Sequence, residues 1–280
     1  MISKILKIAL VGRTNAGKST LINRIVGEKI SIQNKKINTT QVTVMGVKNI
    51  KQPQLIFYDT PGSNFLKSLN KQSKNLKTNL WSSIDDSDII FYLIDSKTAN
   101  FKFIFEQLNK LKEVKKKIII IFNKIDLISN KQILPLISKL NNNFKIESFF
   151  TISAIKNIGI DDILDSVSNY SYASKWIFKN DEITNKDDIF IVGELLRETM
   201  LTYLHKEIPY NVDIETTNFK NLKNNEIKIK QKIIINQARY KKIILGKKGE
   251  MIKKIREKSQ KKMSQLLNVK IHLYLEILIA

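Results

Sequence analysis

Apolar positions in the first 152 residues recur in short runs, with helical spacing between most of them. The first run, Lys4–Val11, predicts a buried strand, and the spacing of Ser19–Val26 predicts a helix directly after it. Five more runs predict strands: Thr43–Ile50, Gln54–Tyr58, Ile89–Ile94, Lys117–Phe122 and Phe149–Ile152. Such alternation indicates an α/β fold with a mostly parallel sheet. Ligands bind at the carboxyl ends of the strands in sheets of this kind, so the residues that follow each strand are candidate site residues.

The pattern changes in the last third of the chain, after a polar, aperiodic stretch. We expect a first domain at 1–172, a linker at 173–188 and a smaller α+β domain at 189–280. The stretch Asp188–Tyr210 has helical spacing, and its helix is expected to end before Pro209. After it the pattern predicts two strands, a short helix, a glycine loop, a basic amphipathic helix and a last strand. The bounds are Val212–Thr217 and Ile227–Asn236 for the two strands, Glu250–Leu267 for the basic helix and Lys270–Ile279 for the last strand.

Composition excludes several classes of protein. The chain has 280 residues, no cysteine and only two histidines, His205 and His272, without ligand spacing. We therefore expect neither disulfides nor a metal held by nitrogen and sulfur. No apolar run reaches the roughly 20 residues that span a bilayer, and no signal-peptide pattern precedes the first strand. These features predict a soluble, cytoplasmic protein.

Positive charge is concentrated near the end of the chain. The formal net charge is +22, from 48 Lys and Arg against 26 Asp and Glu. Residues 219–265 alone carry 16 Lys and Arg against 3 acidic residues. A general bias toward Lys, Asn and Ile would explain the total but not this concentration. We interpret it as a local site for a polyanion, with a solvated basic face as the alternative.

The first predicted strand and helix flank a phosphate-binding loop with the pattern GxxxxGK[ST]. Its glycines let backbone N–H groups surround a phosphate at a helix N-terminus. Lys18 can reach the β- and γ-phosphates, and the Ser19 hydroxyl can bind Mg²⁺. A glycine turn without function is the alternative. The residues expected to contact the nucleotide are Gly12, Arg13, Thr14, Asn15, Ala16, Gly17, Lys18, Ser19 and Thr20.

A second polar motif, DTPG, follows the third predicted strand. Here Asp59 can hold Mg²⁺ through water, and the Gly62 N–H can donate to the γ-phosphate. With Ser19 of the phosphate loop, Asp59 would form part of a magnesium site.

Two later motifs favour guanine over adenine. The sequence NKID places Asn123, Lys124 and Asp126 after the fifth of these strands, and ISA places Ser153 and Ala154 after the sixth. Guanine presents two adjacent donors that one carboxylate accepts together, whereas adenine has an acceptor at N1. The Asp126 carboxylate would therefore select GTP, and the Ala154 N–H could donate to the guanine carbonyl oxygen.

With these four motifs in order, the chain resembles the Era family of GTPases. The resemblance implies a P-loop GTPase domain that hydrolyses GTP to GDP with Mg²⁺. It assigns Thr39 and Thr40 to the first switch region, with Thr40 as a magnesium ligand and Thr39 as the second choice. Ordinary polar loop residues are the alternative for both. The residues expected to act in hydrolysis are Lys18, Thr40, Gly62 and Asn15.

Three positions differ from related GTPases. Gln41 stands where the family usually has Arg, and Ser63 stands where it usually has an apolar residue. Asn64 occupies the position at which Ras-like enzymes have the glutamine that orients water. The resemblance suggests that Asn15 instead helps to bind K⁺ near the reacting phosphates, although an asparagine is also an ordinary turn residue. We expect slow intrinsic hydrolysis.

The second domain resembles a bacterial, type II KH domain. Its glycine loop is the GKKG sequence Gly246, Lys247, Lys248 and Gly249, and Lys253 and Lys254 lie on the helix that follows. KH loops of this kind hold about four nucleotides of single-stranded RNA. A basic turn without function is the alternative for GKKG.

The resemblance also implies a role and partners. These are the 3′ end of small-subunit ribosomal RNA, assembly of the small ribosomal subunit, a monomeric state and a secondary, peripheral contact with the inner membrane. Two other functions stay open at this point. One is an RNA-binding assembly scaffold in which GTP is bound but hardly hydrolysed. The other is a membrane-surface GTPase whose lysines contact anionic lipid.

Overall fold

The computed structural model describes residues 3–31, 43–62, 71–204 and 212–280. The described residues up to Asn185 form one compact unit, and those from Lys186 onward form a second. Each unit has a hydrophobic core of its own.

The first unit contains the mostly parallel sheet that the sequence predicts. Its strands are β1 Lys4–Gly12, β2 Val44–Asn49, β3 Pro53–Asp59, β4 Ile89–Asp95, β5 Lys117–Asn123, β6 Ser148–Ile152 and β7 Tyr172–Ala173. Within the described residues the strand order is β2-β3-β1-β4-β5-β6. Neighbouring strands run parallel, except that β2 is antiparallel to β3, and the short β7 is antiparallel to β1.

Helices cover the sheet because its central strands are apolar on both faces. Phe57, Phe91 and Phe122 are almost fully buried in these strands. The helix after β4 begins where the Asn100 side chain accepts a hydrogen bond from the Phe103 N–H. The helices of this unit are α1 Lys18–Val26, α2 Lys71–Asp86, α3 Phe101–Leu111, α4 Leu134–Asn143 and α5 Ile160–Ser168.

Parallel pairing brings the carboxyl ends of the strands to one edge. Asp95 pairs with Asn123, and Asn123 pairs with Ile152, across three neighbouring strands. On the other side, Leu10 of β1 pairs with Asp59 of β3. The motifs that follow these strands therefore meet at one edge of the sheet.

Most of the predicted linker, 173–188, is attached to the first unit. Ala173 pairs with Lys4 in the sheet. Further on, the buried Gln54 side chain accepts from the N–H groups of Ile177 and Phe178 and donates to the Phe178 carbonyl oxygen. A polar, aperiodic sequence can be ordered in this way when one buried side chain satisfies its backbone groups.

The second unit has helices packed on a three-stranded sheet. Its elements are α6 Asp188–Tyr203, β8 Val212–Asn221, β9 Glu226–Ile235, α7 Ala238–Leu245, α8 Glu250–Leu267 and β10 Lys270–Ile279. Strand β9 lies at the centre of the sheet, parallel to β10 and antiparallel to β8. The predicted order of elements is present, which confirms an α+β second unit.

Helix α6 ends before Pro209, as predicted. Its last residue is Tyr203, and Pro209 lies outside the described residues. Leu204 takes an extended conformation, and its side chain is buried in the core of this unit.

Candidate functional site

The predicted phosphate loop joins β1 to α1, and two of its glycines are required by the packing. Gly12 and Gly17 have φ angles of 151° and 99°. A Cβ atom on Gly12 would lie 2.4 Å from the Leu93 carbonyl oxygen, and one on Gly17 would lie 2.2 Å from Nδ2 of Asn123. A side chain at either position would displace the strand or the asparagine that borders the loop.

Lys18 is buried at the start of α1. Its Nζ atom donates to the carbonyl oxygens of Gly12, at 3.0 Å, and Arg13, at 3.2 Å. Burial lowers the pKa of Lys18 to about 8, and the charge of Asp59 opposes this shift. The ammonium group is therefore held by the loop that is expected to surround the phosphates, at the cost of its own hydration.

Asp59 lies at the end of β3 and is fully buried. Its Oδ2 atom accepts a hydrogen bond of 2.5 Å from the Ser31 hydroxyl, and its carboxylate is also hydrogen-bonded by Ser19. Burial raises the pKa of Asp59, whereas these two hydroxyls and the charge of Lys18 lower it. Its Oδ1 atom is buried without a hydrogen-bond partner among the described residues.

This unpartnered oxygen fits the predicted magnesium site. Mg²⁺ prefers oxygen ligands, and a buried carboxylate oxygen without a partner is rare unless something else satisfies it. Ser19 and Asp59 are brought together as predicted, whereas Thr39 and Thr40, as well as Gln41, lie outside the described residues.

Two residues of this region belong to none of the motifs, and the sequence did not predict them as part of the site. Asn23 of α1 accepts from the N–H groups of Ile30 and Ser31 and donates to the Ser31 carbonyl oxygen. These bonds hold Ser31 beside Asp59. Nothing in the spacing of the sequence marks either residue.

Gly62 of the DTPG motif lies against the phosphate loop. A Cβ atom on it would be 2.1 Å from Cγ2 and 2.7 Å from the backbone nitrogen of Thr14. The preceding Thr60 donates to the Leu10 carbonyl oxygen of β1 at 2.5 Å. The two motifs therefore touch through backbone, while Ser63 and Asn64 lie outside the described residues.

Asn123 connects three of the predicted motifs. Its Nδ2 atom donates to the Ala16 carbonyl oxygen at 2.9 Å, and its Oδ1 atom accepts from the N–H groups of Lys124 and Ala154. Lys124 in turn donates to the Asn15 carbonyl oxygen at 2.7 Å and forms an ion pair of 2.6 Å with Asp95. These bonds fix the guanine-side loops relative to the phosphate loop.

Asp126 is arranged as a ready acceptor at the surface. A hydrogen bond with Ser153 is the main reason that its pKa is lowered, so it is ionised at neutral pH. Arg24 of α1 donates to the carbonyl oxygens of Ala154 and Ile155 and so supports the same loop. Arg24 was not predicted, because its helical position gives no sign of this distant contact.

The remaining loop residues have structural roles that are visible in their geometry. Asn15 has a φ angle of 66°, a left-handed conformation that asparagine tolerates better than most residues. The Arg13 guanidinium lies 5.5 Å from the centre of the Phe103 ring. Thr20 lies in the first turn of α1. The turn geometry accounts for an asparagine at position 15, and the role of that residue in binding K⁺ stays a prediction.

The GKKG loop of the second unit is strongly curved. Gly246, Lys248 and Gly249 all have left-handed φ angles, of 71°, 51° and 80°. A Cβ atom on Gly246 would lie 2.5 Å from that of Met251, whereas one on Gly249 would meet nothing within 4 Å. Gly246 is therefore required by packing, and Gly249 by its conformation at the N-terminus of α8.

The lysines of this region face solvent. Lys247, Lys248, Lys253 and Lys254 are exposed, and the Lys254 Nζ atom lies 4.6 Å from the centre of the Tyr203 ring. Ile243, near the end of α7, is 43% exposed and was not predicted as part of this site. The surface thus combines a curved backbone, a helix N-terminus, exposed lysine side chains and an apolar side chain, which suits a nucleic acid strand.

Two features are absent from the described residues. Within them there is no group of three or more His, Cys, Asp or Glu side chains placed to hold a metal ion. None of the helices in the described part of the chain is long and apolar enough to cross a membrane.

Comparison with known proteins gives a consistent result. Residues 7–124 match the family described as 50S ribosome-binding GTPase, and residues 207–279 match the KH domain family. GTPase Era of Rickettsia bellii is 34% identical over 274 residues, which cover 98% of this chain and 92% of that protein.

Two crystal structures resemble the whole chain. One is Era in complex with MgGDPNP and nucleotides 1506–1542 of 16S ribosomal RNA, and the other is a variant of Aquifex aeolicus Era bound to GDP and AlF₄⁻. Each has a TM-score of 0.91 and 29% identity, and covers 99% of this chain and 94% of its own.

Proposed function

This chain belongs to the GTPase Era family and is a GTP hydrolase with a KH domain, and we propose that its nucleotide state controls binding of ribosomal RNA. The proposed RNA is the 3′ end of small-subunit ribosomal RNA, and the proposed role is assembly of the small ribosomal subunit. The observation that carries the proposal is the likeness over 99% of the chain to an Era structure that holds both a GTP analogue and that RNA.

In the nucleotide site we propose that each side of GTP is held by a different set of residues. Lys18 and the backbone of the phosphate loop bind the β- and γ-phosphates, and the Gly62 N–H donates to the γ-phosphate. The Asp126 carboxylate accepts from guanine, and the Ala154 N–H donates to its carbonyl oxygen. The bonds of Asn123 to Ala16 and Ala154 support this assignment, because they fix the two halves of the site relative to each other.

Hydrolysis then depends on positioning and charge. Ser19, Asp59 and Thr40 are the proposed magnesium ligands, and bound Mg²⁺ neutralises charge on the phosphates. Lys18 stabilises the negative charge that develops on the transferred phosphoryl group. We propose that Asn15 contacts K⁺ near the reacting phosphates. Single-turnover hydrolysis should then be faster in K⁺ than in Na⁺. Equal rates would leave Asn15 with only its turn role.

On the second unit we propose that the GKKG loop holds the RNA backbone. The left-handed glycines allow close approach of a strand, and the N-terminus of α8 favours phosphate. Lys247, Lys248, Lys253 and Lys254 add attraction that does not depend on sequence. The exposed Ile243 offers an apolar surface to bases beside the loop.

The test is the affinity for a single-stranded oligonucleotide that matches the 3′ end of small-subunit ribosomal RNA. We would measure it with a GTP analogue, with GDP and without nucleotide, at two salt concentrations. The expected result is tight binding only with the GTP analogue, and binding that survives salt better than that of a scrambled oligonucleotide. Equal binding in all three states, with a steep salt slope, would contradict control by the nucleotide.

A pair of charge variants separates the loop from the general basic surface. Lys247→Asp with Lys248→Asp should weaken binding by at least about 100-fold, because two phosphate contacts become repulsive. Lys220→Asp with Lys223→Asp is the matched control, since these lysines are also exposed in the second unit. Equal losses in the two double variants would argue against the KH loop as the RNA site.

We also propose a cytoplasmic, monomeric protein with a secondary, peripheral contact at the inner membrane. The net charge of +22 supports attraction to anionic lipid. Co-sedimentation with anionic vesicles tests the membrane contact, and short RNA should compete if the same lysines are used. Binding that RNA does not displace would favour a separate membrane surface.

A further inference from the structure

The Ser31 hydroxyl donates a hydrogen bond to Asp59, the carboxylate at the end of β3 that belongs to the proposed magnesium site. We propose that Ser31 is a positioning residue for Asp59, which holds one carboxylate oxygen so that the other is presented to Mg²⁺. This inference rests on the proposed nucleotide site and adds a residue that belongs to none of its motifs.

The two oxygens of Asp59 have different surroundings. Oδ2 accepts a 2.5 Å hydrogen bond from the Ser31 hydroxyl, whereas Oδ1 has no hydrogen-bond partner among the described residues although it is buried. If Ser31 only compensated a buried acid, we would expect both oxygens to be satisfied. The asymmetry is what a carboxylate needs when a bound cation completes one side of it.

Ser31 can restrain Asp59 because its own backbone is fixed. The Asn23 side chain accepts from the N–H groups of Ile30 and Ser31, both at 2.9 Å, and donates to the Ser31 carbonyl oxygen at 2.7 Å. Asn23 is itself buried, and Ser31 is 4% exposed. The backbone that carries the hydroxyl is therefore fixed in place. The hydroxyl has one proton, and it donates this proton in the hydrogen bond to Asp59.

One face of α1 supplies both restraints on the carboxylate. Ser19 and Asn23 are four residues apart on this helix, so their side chains lie on the same face. Ser19 contacts Asp59 directly, and Asn23 contacts it through Ser31. The helix that carries the phosphate loop thus also sets the orientation of the carboxylate at the end of β3.

The test is the Mg²⁺ dependence of nucleotide release. We would measure dissociation of a fluorescent GDP analogue from the full chain over a series of Mg²⁺ concentrations, starting from EDTA. The variants are Ser31→Ala, which removes the hydroxyl, and Ser31→Thr, which keeps it. Ser87→Ala is the matched control, because Ser87 is also 4% exposed in the same unit and its hydroxyl donates to the Ile84 carbonyl oxygen instead.

Loss of a residue that orients a metal ligand typically weakens metal affinity by about 10- to 100-fold. For Ser31→Ala we therefore expect the Mg²⁺ concentration at half-maximal retention to rise by at least about 10-fold. Release in EDTA should stay within about twofold of the wild type, since Mg²⁺ is absent there. Ser31→Thr and Ser87→Ala should both keep a midpoint close to that of the wild type.

Two results would overturn the inference alone. One is a Mg²⁺ midpoint for Ser31→Ala equal to that of Ser87→Ala. The other is faster nucleotide release from Ser31→Ala whose whole increase over the wild type is already present in EDTA. A wild-type chain that does not bind the GDP analogue at all would overturn the proposed nucleotide site together with this inference.

Discussion

At the scale of single residues, the nucleotide site places charged groups where water is excluded. Lys18 and Asp59 are both buried. Burial lowers the pKa of Lys18 and raises the pKa of Asp59, and so favours the neutral form of each side chain. Such groups interact strongly with a charged ligand, because the surrounding protein screens them less than water does. The protonation state of Lys18 should therefore change when phosphate binds.

Proton uptake measures this change. With a pKa of about 8, Lys18 in the nucleotide-free protein loses its proton as the pH rises through 8, and nearby phosphates raise the pKa again. Binding of GDP should then take up more protons at pH 8 than at pH 7. Calorimetric titration in two buffers of different ionisation enthalpy measures the uptake. Lys18→Arg should show none at pH 8, because the guanidinium stays protonated, and equal uptake at both pH values would contradict the assignment.

Asp126 should decide between bases. Xanthine has a carbonyl oxygen where guanine has its amine, so an amide donor at position 126 matches xanthine and a carboxylate matches guanine. Asp126→Asn should weaken GTP binding by at least about 100-fold and reverse the preference in favour of XTP. Competition against a fluorescent guanine nucleotide measures both affinities. Asp161→Asn, an exposed acid of the same unit, is the control, and a variant that loses both nucleotides equally would contradict the role of Asp126.

At the scale of elements, single side chains from the sheet satisfy several backbone groups of short polar segments. Asn123 at the end of β5 satisfies backbone groups on two separate loops, and Gln54 in β3 does the same for the stretch after β7. Buried backbone groups need such partners when no regular element provides them. Loss of one of these side chains should therefore loosen the segment whose backbone groups it satisfies.

Gln54 allows this to be measured. Gln54→Ala would leave the N–H groups of Ile177 and Phe178 without their acceptor, which should cost about 2 to 4 kcal/mol of the free energy of unfolding of the first unit. The segment 174–185 should also be cleaved faster by a protease. Asn185→Ala is the control, because it removes an exposed hydrogen bond, from the Met45 N–H, at the end of the same segment. Similar stability and cleavage in both variants would mean that other contacts hold the segment.

At the scale of the whole molecule, the two activities belong to units with separate cores. The first core is built around β4 and β5, and the second around β9 and the helices that cover it. Positive charge is uneven, since residues 219–265 of the second unit carry 16 Lys and Arg against 3 acidic residues. We therefore propose that the phosphates of the nucleotide and those of an RNA strand are bound by different parts of the chain.

Separate cores predict separate unfolding. We expect two calorimetric transitions, of which GDP with Mg²⁺ raises only one. At 100 times its dissociation constant the nucleotide adds about 2.7 kcal/mol of stability, or roughly 5 to 10 °C for a unit of this size. The other transition should move by less than about 1 °C. A single transition that shifts as a whole would show that the units unfold together.

Much of this protein is determined by the sequence alone, because the relevant signals are local. The period of apolar residues decides which face of an element is buried, and so predicts the strands, their order and the helices. The prediction for α8 has the observed bounds, Glu250–Leu267. Phosphate and guanine binding also need particular residues at fixed short spacing after a strand. For that reason the motifs around Lys18, Asn123 and Gly246 could be recognised from the sequence.

The tertiary structure alone decided which distant groups satisfy one another. Ser31 and Asp59 are 28 residues apart, Ala16 and Asn123 are 107 apart, and Gln54 and Phe178 are 124 apart. A serine or glutamine that fills such a role has no period and no fixed spacing, since its partner is set by how the strands pair and where the chain returns.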